Sequence, residues 1–161
     1  MSLVAKLLSP AHIALDLQVS SKKRLFEQAG LMFENQDAVA RSVVFDSLFA
    51  RERLGSTGLG QGVAIPHGRI KGLKEARGLF LRLAQPVPFD SPDGNPVSLV
   101  FVLLVPEKAT EKHLQILSEL AQMFSDKALR ELLLRAADAE ALYQLIAAWH
   151  PDAAGQRRAA A

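Results

Sequence analysis

The chain of 161 residues contains no cysteine. Disulfide staples, thiolate metal sites and cysteine nucleophiles are therefore excluded, and the composition suits a reducing compartment. Long apolar runs are also missing. The longest is "LVFVLLV", 99–105, far short of the roughly 20 residues a membrane-spanning helix needs. The opening "MSLVAKLLSP" has one lysine among about six apolar residues, without the layout of a secretory signal. A cytoplasmic protein with no membrane insertion is expected. A strong excess of one charge is lacking too: 19 Lys and Arg face 17 Asp and Glu, a net charge of +2. No basic stripe interleaved with aromatics appears, so no nucleic-acid partner is expected.

What is present is ordinary soluble-domain composition, 49% apolar and 22% charged, with enough chain for one sizeable core. Residues 12–19, "HIALDLQV", alternate like a half-buried strand. Ser21 offers an N-cap for a helix with Leu25, Ala29, Leu31 and Met32 at helical spacing. Asp37 offers one for a second helix, with Val39, Val43, Val44 and Leu48 on its stripe. "VAI", 63–65, is a short strand stopped by Pro66. Strands are predicted over 76–85 and 97–105, joined through the proline-rich turn 86–97. The second is apolar throughout, as expected of a strand covered on both faces. Thr110 then caps a helix with Leu114, Leu117, Leu120, Ala121 and Phe124 inward, Ser125 opens another, and Asp138 precedes the last. The expected fold class is α/β, a mixed β-sheet flanked by helices on its faces, as a single domain over 1–150, with 151–161 a disordered tail.

The segment "GSTGLGQGVAIPHGRI", 55–70, places five glycines around a lone Pro-His-Gly. Glycine is entropically costly in a folded chain, so such a density calls for a reason. The P-loop pattern fails, because no Lys-Ser/Thr follows at the required spacing. The dinucleotide pattern fails at Val63, where a glycine is needed. His12, His67, His113 and His150 lie far apart in the chain, and no metal or cofactor is expected. What survives is His67 on a tight turn beside a run of backbone N–H groups able to hold an anion. Imidazole is a nucleophile, so this arrangement suggests covalent phosphoryl chemistry. The alternative is a plain turn whose glycines relieve crowding. His12 and His150 read as structural or surface residues.

At these residues the sequence resembles a known family. "RERLGSTGLGQGVAIPHGRI", 51–70, is similar to the active-site signature of the IIA components of the bacterial phosphoenolpyruvate-dependent phosphotransferase system, mannitol/fructose type. The version R-E-x-x-G-S-T-G-x-G-x-G-x-A-I-P-H-G resembles the nitrogen-regulatory branch. "SKKR" (21–24), "FVLLVP" (101–106) and "HLQILS" (113–118) extend the likeness, which runs from about residue 3 to 148. Gln61 stands where Asn is common and Arg69 where Lys is common.

The resemblance implies a phosphotransferase component carrying a phosphohistidine, mainly regulatory in role. The family's phosphorylated histidine falls on His67, its signature arginine on Arg51 and its second active-site histidine on His113. Phosphate arrives from an HPr-like phosphocarrier. Regulated partners in such a family are of the kind of transporters or sensor kinases, acting in nitrogen, potassium or carbon metabolism. A guanidinium at Arg51 would neutralise the transferring phosphoryl group; alone, it reads equally as a surface arginine favouring a helix C-terminus. His113 would hydrogen-bond a phosphoryl oxygen or simply be a half-exposed helix residue. Ser56, Thr57, Gly58 and Gly60 are expected to bind the phosphate, and Leu59, Val63 and Ile70 to offer apolar contact to the carrier. The competing function is a sugar-specific IIA that passes phosphate to a IIB domain for mannitol or fructose uptake.

Overall fold

The computed structural model describes residues 2–108 and 111–150. The Thr110 cap and the tail 151–161 lie outside the described residues. A short helix α1 (Leu3–Lys6) and a 3-10 turn (Pro10–His12) precede strand β1 (Ile13–Leu17). Helices α2 (Lys22–Asp37) and α3 (Arg41–Glu52) follow, then short strands β2 (Gly58–Gly60), β3 (Val63–Ala64) and β4 (His67–Ile70). The long strands β5 (Arg77–Val87) and β6 (Val97–Pro106) lead into α4 (Glu111–Ser125), α5 (Lys127–Arg135) and α6 (Ala139–Ala148).

One mixed sheet runs in the order β1-β5-β6-β3-β2, with β4 also paired to β6. β5 and β6 are antiparallel, while β3 and β4 both run parallel along the other side of β6. Side chains alternate across a strand, so β6 serves two cores at once. Val100, Val102 and Leu104 face α2 and α3, meeting Leu25, Phe26, Phe33, Val44 and Leu48. Phe101, Leu103 and Val105 face the other helical layer, meeting Ile116, Leu120, Met123 and Phe124 from α4. The expected helix-flanked mixed sheet is the observed fold, and the two-sided burial explains the unbroken apolar run.

Local chemistry sets the boundaries, with some corrections. Ser21 caps α2 by accepting from Arg24 N, and Asp138 caps α6 by accepting from Ala141 N, each worth about 1 kcal/mol. Asp37 does not cap α3. It ends α2, and its carboxylate is held by His12 at 3.2 Å and Arg77 at 3.8 Å. Glu34 does the work from α2 instead, accepting from Arg41 N at 2.9 Å. Ser125 ends α4, and Asp126 caps α5 through Leu129 N. Leu31 and Met32 are only half-buried, because Phe26 and Phe33 take the core positions of α2, and Val43 is 45% exposed.

Candidate functional site

Pro66 has no N–H and interrupts the stretch that runs alongside β6, separating β3 from β4. The chain recovers at once: Leu103 N donates to Pro66 O at 2.9 Å, and His67 registers against Leu103. His67 therefore starts a strand rather than sitting on a tight turn. Among the described residues β4 has no strand on its other side, so it forms an edge where the two helical layers meet.

Alternation along β4 sends Gly68 and Ile70 towards α3, and His67 and Arg69 the other way, towards α4. Any Cβ on Gly68 would overlap the Ser47 side chain. The bare glycine lets α3 rest on β4, and Ser47 Oγ donates to Arg69 O at 2.9 Å. Arg51 lies one turn beyond Ser47 on the same helix face, and so arrives at the edge beside His67. His113 comes from the opposite layer. It belongs to the stripe His113, Ile116, Leu120, Met123 and Phe124, so it is buried while Leu114 is 65% exposed. Leu120 and Phe124 face inward as expected, but His113 and Ile116 take the places expected of Leu114 and Leu117.

The three residues converge. His67 Nδ1 lies 2.9 Å from Ile65 O. A carbonyl only accepts, so Nδ1 carries the proton and Nε2 keeps its lone pair. Arg51 Nε donates to that Nε2 at 3.2 Å, and Arg51 Nη1 donates to Gly55 O at 2.8 Å. The His67 and His113 rings stand edge-on, 5.7 Å between centroids at 65°. His113 Nε2 is buried without a hydrogen-bond partner among the described residues. Burial, then the positive charge of Arg51, pushes His67 below the ordinary histidine range, against the Ile65 hydrogen bond and the charge of Glu52. His113 is lowered too, by burial, then by His67 and Arg69. Both rings are neutral at pH 7, the state a nitrogen nucleophile needs. An open cleft of about 670 Å³ lies over them, bordered by Ser47, Arg51, Leu54, His67, Arg69 and His113.

The glycine loop is placed differently from expectation. Its backbone enters the sheet as the hairpin of β2 and β3, turned by Gly60, Gln61 and Gly62 at φ +88°, +58° and +77°. Ser56 Oγ donates to Phe89 O and accepts from Gly58 N at 3.0 Å. Thr57 gives its backbone N–H and its hydroxyl to Glu52, at 2.9 and 2.6 Å. The polar groups of these residues are turned into the protein, because N–H groups drawn inside must find partners. Ser56, Thr57, Gly58 and Gly60 do not border the cleft. Val63 and Ile70 are core residues, leaving Leu59 as the exposed member of the expected apolar contact set. Leu54, 84% exposed at the cleft, and the buried Glu52 were not singled out from the sequence. Glu52 was available within the same signature; Leu54 had no signal beyond its proximity. Among the described residues no group of three or more His, Asp or Glu is placed to hold a metal ion, and no helix is long and apolar enough to cross a membrane.

Comparison with known proteins shows the family and the fold. The family model described as "Phosphoenolpyruvate-dependent sugar phosphotransferase system, EIIA 2" matches residues 6–149. A nitrogen regulatory protein from Pseudomonas aeruginosa is 44% identical over 142 residues, covering 88% of this chain and 92% of its own. The crystal structure of nitrogen regulatory protein IIA-Ntr from Neisseria meningitidis is similar at a TM-score of 0.86 with 56% identity, covering 90% of this chain and 99% of that one. That of IIA mannitol from Escherichia coli shares the fold at a TM-score of 0.73 and 22% identity, covering 86% and 98%. The chain belongs to the EIIA 2 family of the phosphoenolpyruvate-dependent sugar phosphotransferase system.

Proposed function

We propose that this protein is a phosphoryl carrier that accepts its phosphoryl group on Nε2 of His67 from the phosphohistidine of an HPr-like carrier, and that the charge so acquired controls which regulatory partners it binds. The observation that carries this reading is the tautomer. Ile65 O holds Nδ1–H, leaving Nε2 as the nucleophilic atom at the mouth of the cleft.

The transfer needs no external proton. The donor ring, protonated at its other nitrogen, releases phosphorus and takes back the N–P electron pair as neutral imidazole. The Nε2 lone pair of His67 forms the new N–P bond, and the positive charge that develops on the ring is stabilised through Nδ1–H by the Ile65 carbonyl. Arg51 leaves the lone pair and pairs with the phosphoryl oxygens, where neutralising charge is the main contribution in this chemistry. His113 Nε2 is unpartnered at rest, and in the tautomer protonated there the ring supplies a further donor to a phosphoryl oxygen. The phosphoryl group itself brings close to two negative charges to a cleft bordered by the exposed Leu54, so a partner fitted to one state rejects the other. The nitrogen-regulatory names of its relatives favour a regulatory role over sugar uptake; transporters or sensor kinases, the kinds of partner the family resemblance implies, are the candidates.

The test is intact mass after incubation with phosphoenolpyruvate, enzyme I and an HPr-like carrier, beside His67→Ala. One acid-labile phosphoryl group on the wild type alone is the expected result. No gain, or an equal gain in the variant, overturns the assignment.

A further inference from the structure

Glu52 is a carboxylate only 9% exposed, directly after Arg51 at the end of α3. A charge taken out of water is costly unless it is paired and hydrogen-bonded. Here it is held on both oxygens. Oε1 accepts the Thr57 hydroxyl at 2.6 Å, and Oε2 accepts Thr57 N–H at 2.9 Å and Lys22 Nζ at 3.1 Å. Lys22 opens α2, and its ammonium also donates to Phe89 O at 3.3 Å and Asp90 at 3.4 Å, 4.6 Å above the Phe89 ring. The pairing of Glu52 with Thr57 closes the chain between them into a tight loop. Inside that loop lies Gly55, whose carbonyl takes Arg51 Nη1.

We infer that Glu52, clamped by Thr57 and anchored by Lys22, is a positioning residue: it fixes the Gly55 carbonyl and thereby aims Arg51 Nε at His67 Nε2. The guanidinium has two points of attachment in the resting protein, one the reacting nitrogen and the other this carbonyl. When phosphate arrives the first must be released, so the second alone keeps the side chain in reach. A loop free to drift would let it swing into solvent, because Arg51 is only half-buried. Thr57 thus contributes through Glu52, not by touching phosphate. Its consequence for phosphoryl transfer rests on His67 being the acceptor, while the aiming of Arg51 does not.

The test compares full-length wild type, Thr57→Val, Thr57→Ser and Glu52→Gln by two readouts. The first is solvent exchange of the Arg51 Nε–H signal in nitrogen NMR. It is expected to be protected in wild type and Thr57→Ser, and to exchange at least about tenfold faster in Thr57→Val and Glu52→Gln. The second is the rate of phosphoryl transfer from an HPr-like carrier. At saturating carrier it should fall roughly ten- to hundredfold in the same two variants. The carrier concentration for half-saturation should stay within about twofold. Unchanged Arg51 exchange in a folded Thr57→Val or Glu52→Gln protein overturns the inference, as does an unchanged rate. If Thr57→Val unfolds, Glu52→Gln carries both readouts; if both unfold, the pair is a structural brace and the inference fails. A wild type that takes up no phosphate sinks the acceptor assignment, and the exchange measurement then decides this one.

Discussion

Arg51 Nε lies 3.2 Å from His67 Nε2, while Nδ1 of the same ring is committed to Ile65 O at 2.9 Å. The guanidinium therefore covers the Nε2 lone pair at rest and stands within hydrogen-bond reach of whatever replaces it there. Lysine keeps the charge but loses the planar fork that bonds a nitrogen or two phosphoryl oxygens together with the Gly55 carbonyl. Arg51→Lys is expected to slow phosphoryl acceptance at saturating carrier by about a hundredfold. Quenched-flow mixing read by intact mass checks it. A loss under about threefold would mean that net charge alone suffices.

The same geometry fixes a pH dependence. His67 and His113 are both held below the ordinary histidine range by burial first, then by neighbouring positive charge. The unfolded chain binds protons at these rings near pH 6.5, about the free value, whereas the folded protein binds them only at lower pH. Between those two values the unfolded state holds more protons, so stability rises with pH there and falls as pH drops. His67→Gln and His113→Gln should each lose less stability than wild type between about pH 7.5 and about pH 5. Urea midpoints across that range provide the measurement. Wild-type phosphoryl acceptance should stay level through pH 6.5, the free-histidine value, and decline only below it.

The parts legible in the sequence were those whose causes are local. Ser21 and Asp138 cap helices because each has a free side chain followed by a helix-forming run, and β6 shows its two covered faces as an unbroken apolar stretch. Asp37 looked equivalent, yet His12 and Arg77, distant in sequence, claim its carboxylate. β2 has glycine at both of its ends, and β4 is four residues starting directly after Pro66, with one glycine, so no period of two is visible. They are strands because β3 pairs β2 and β6 pairs β4. Arg51 and His67 stand in the 51–70 signature and His113 in "HLQILS", so the resemblance already named all three as candidates. Their meeting was not legible, because it depends on α3 settling over Gly68 and on α4 turning His113 inward. Thr57 offered a hydroxyl in the sequence, but only the fold shows Glu52 as its partner.

Arg82 separates stability from chemistry. It is 8% exposed, with Nη1 donating to Leu133 O at 3.0 Å and Ala136 O at 2.8 Å, and Nη2 reaching Asp16 at 3.3 Å. These bonds satisfy carbonyls at the end of α5 that the helix leaves free. Arg82→Met strands them, at a cost of about 2–4 kcal/mol. Thermal unfolding should show a midpoint lower by roughly 5–15 °C. Arg82 registers with Leu99, four residues before the Leu103 beside His67, so the folded variant should accept phosphate at the wild-type rate.

Gly68 tests whether the packing of α3 on β4 delivers Arg51. A methyl group there overlaps Ser47 Oγ, and Ser47 Cβ and its backbone carbon lie close behind at 3.1 and 3.2 Å. The helix must lift, and Arg51 lifts with it. Gly68→Ala is expected to cost about 1–3 kcal/mol of stability from overpacking and to slow phosphoryl acceptance at least about tenfold. Ser47→Gly removes the obstructing side chain, at about 1 kcal/mol for a glycine inside a helix. The double variant Gly68→Ala, Ser47→Gly should therefore recover most of the rate while staying less stable than wild type. Recovery of rate without recovery of stability separates the two effects of Gly68. A double variant as slow as Gly68→Ala would show that the added methyl group harms His67 directly rather than through the helix that carries Arg51.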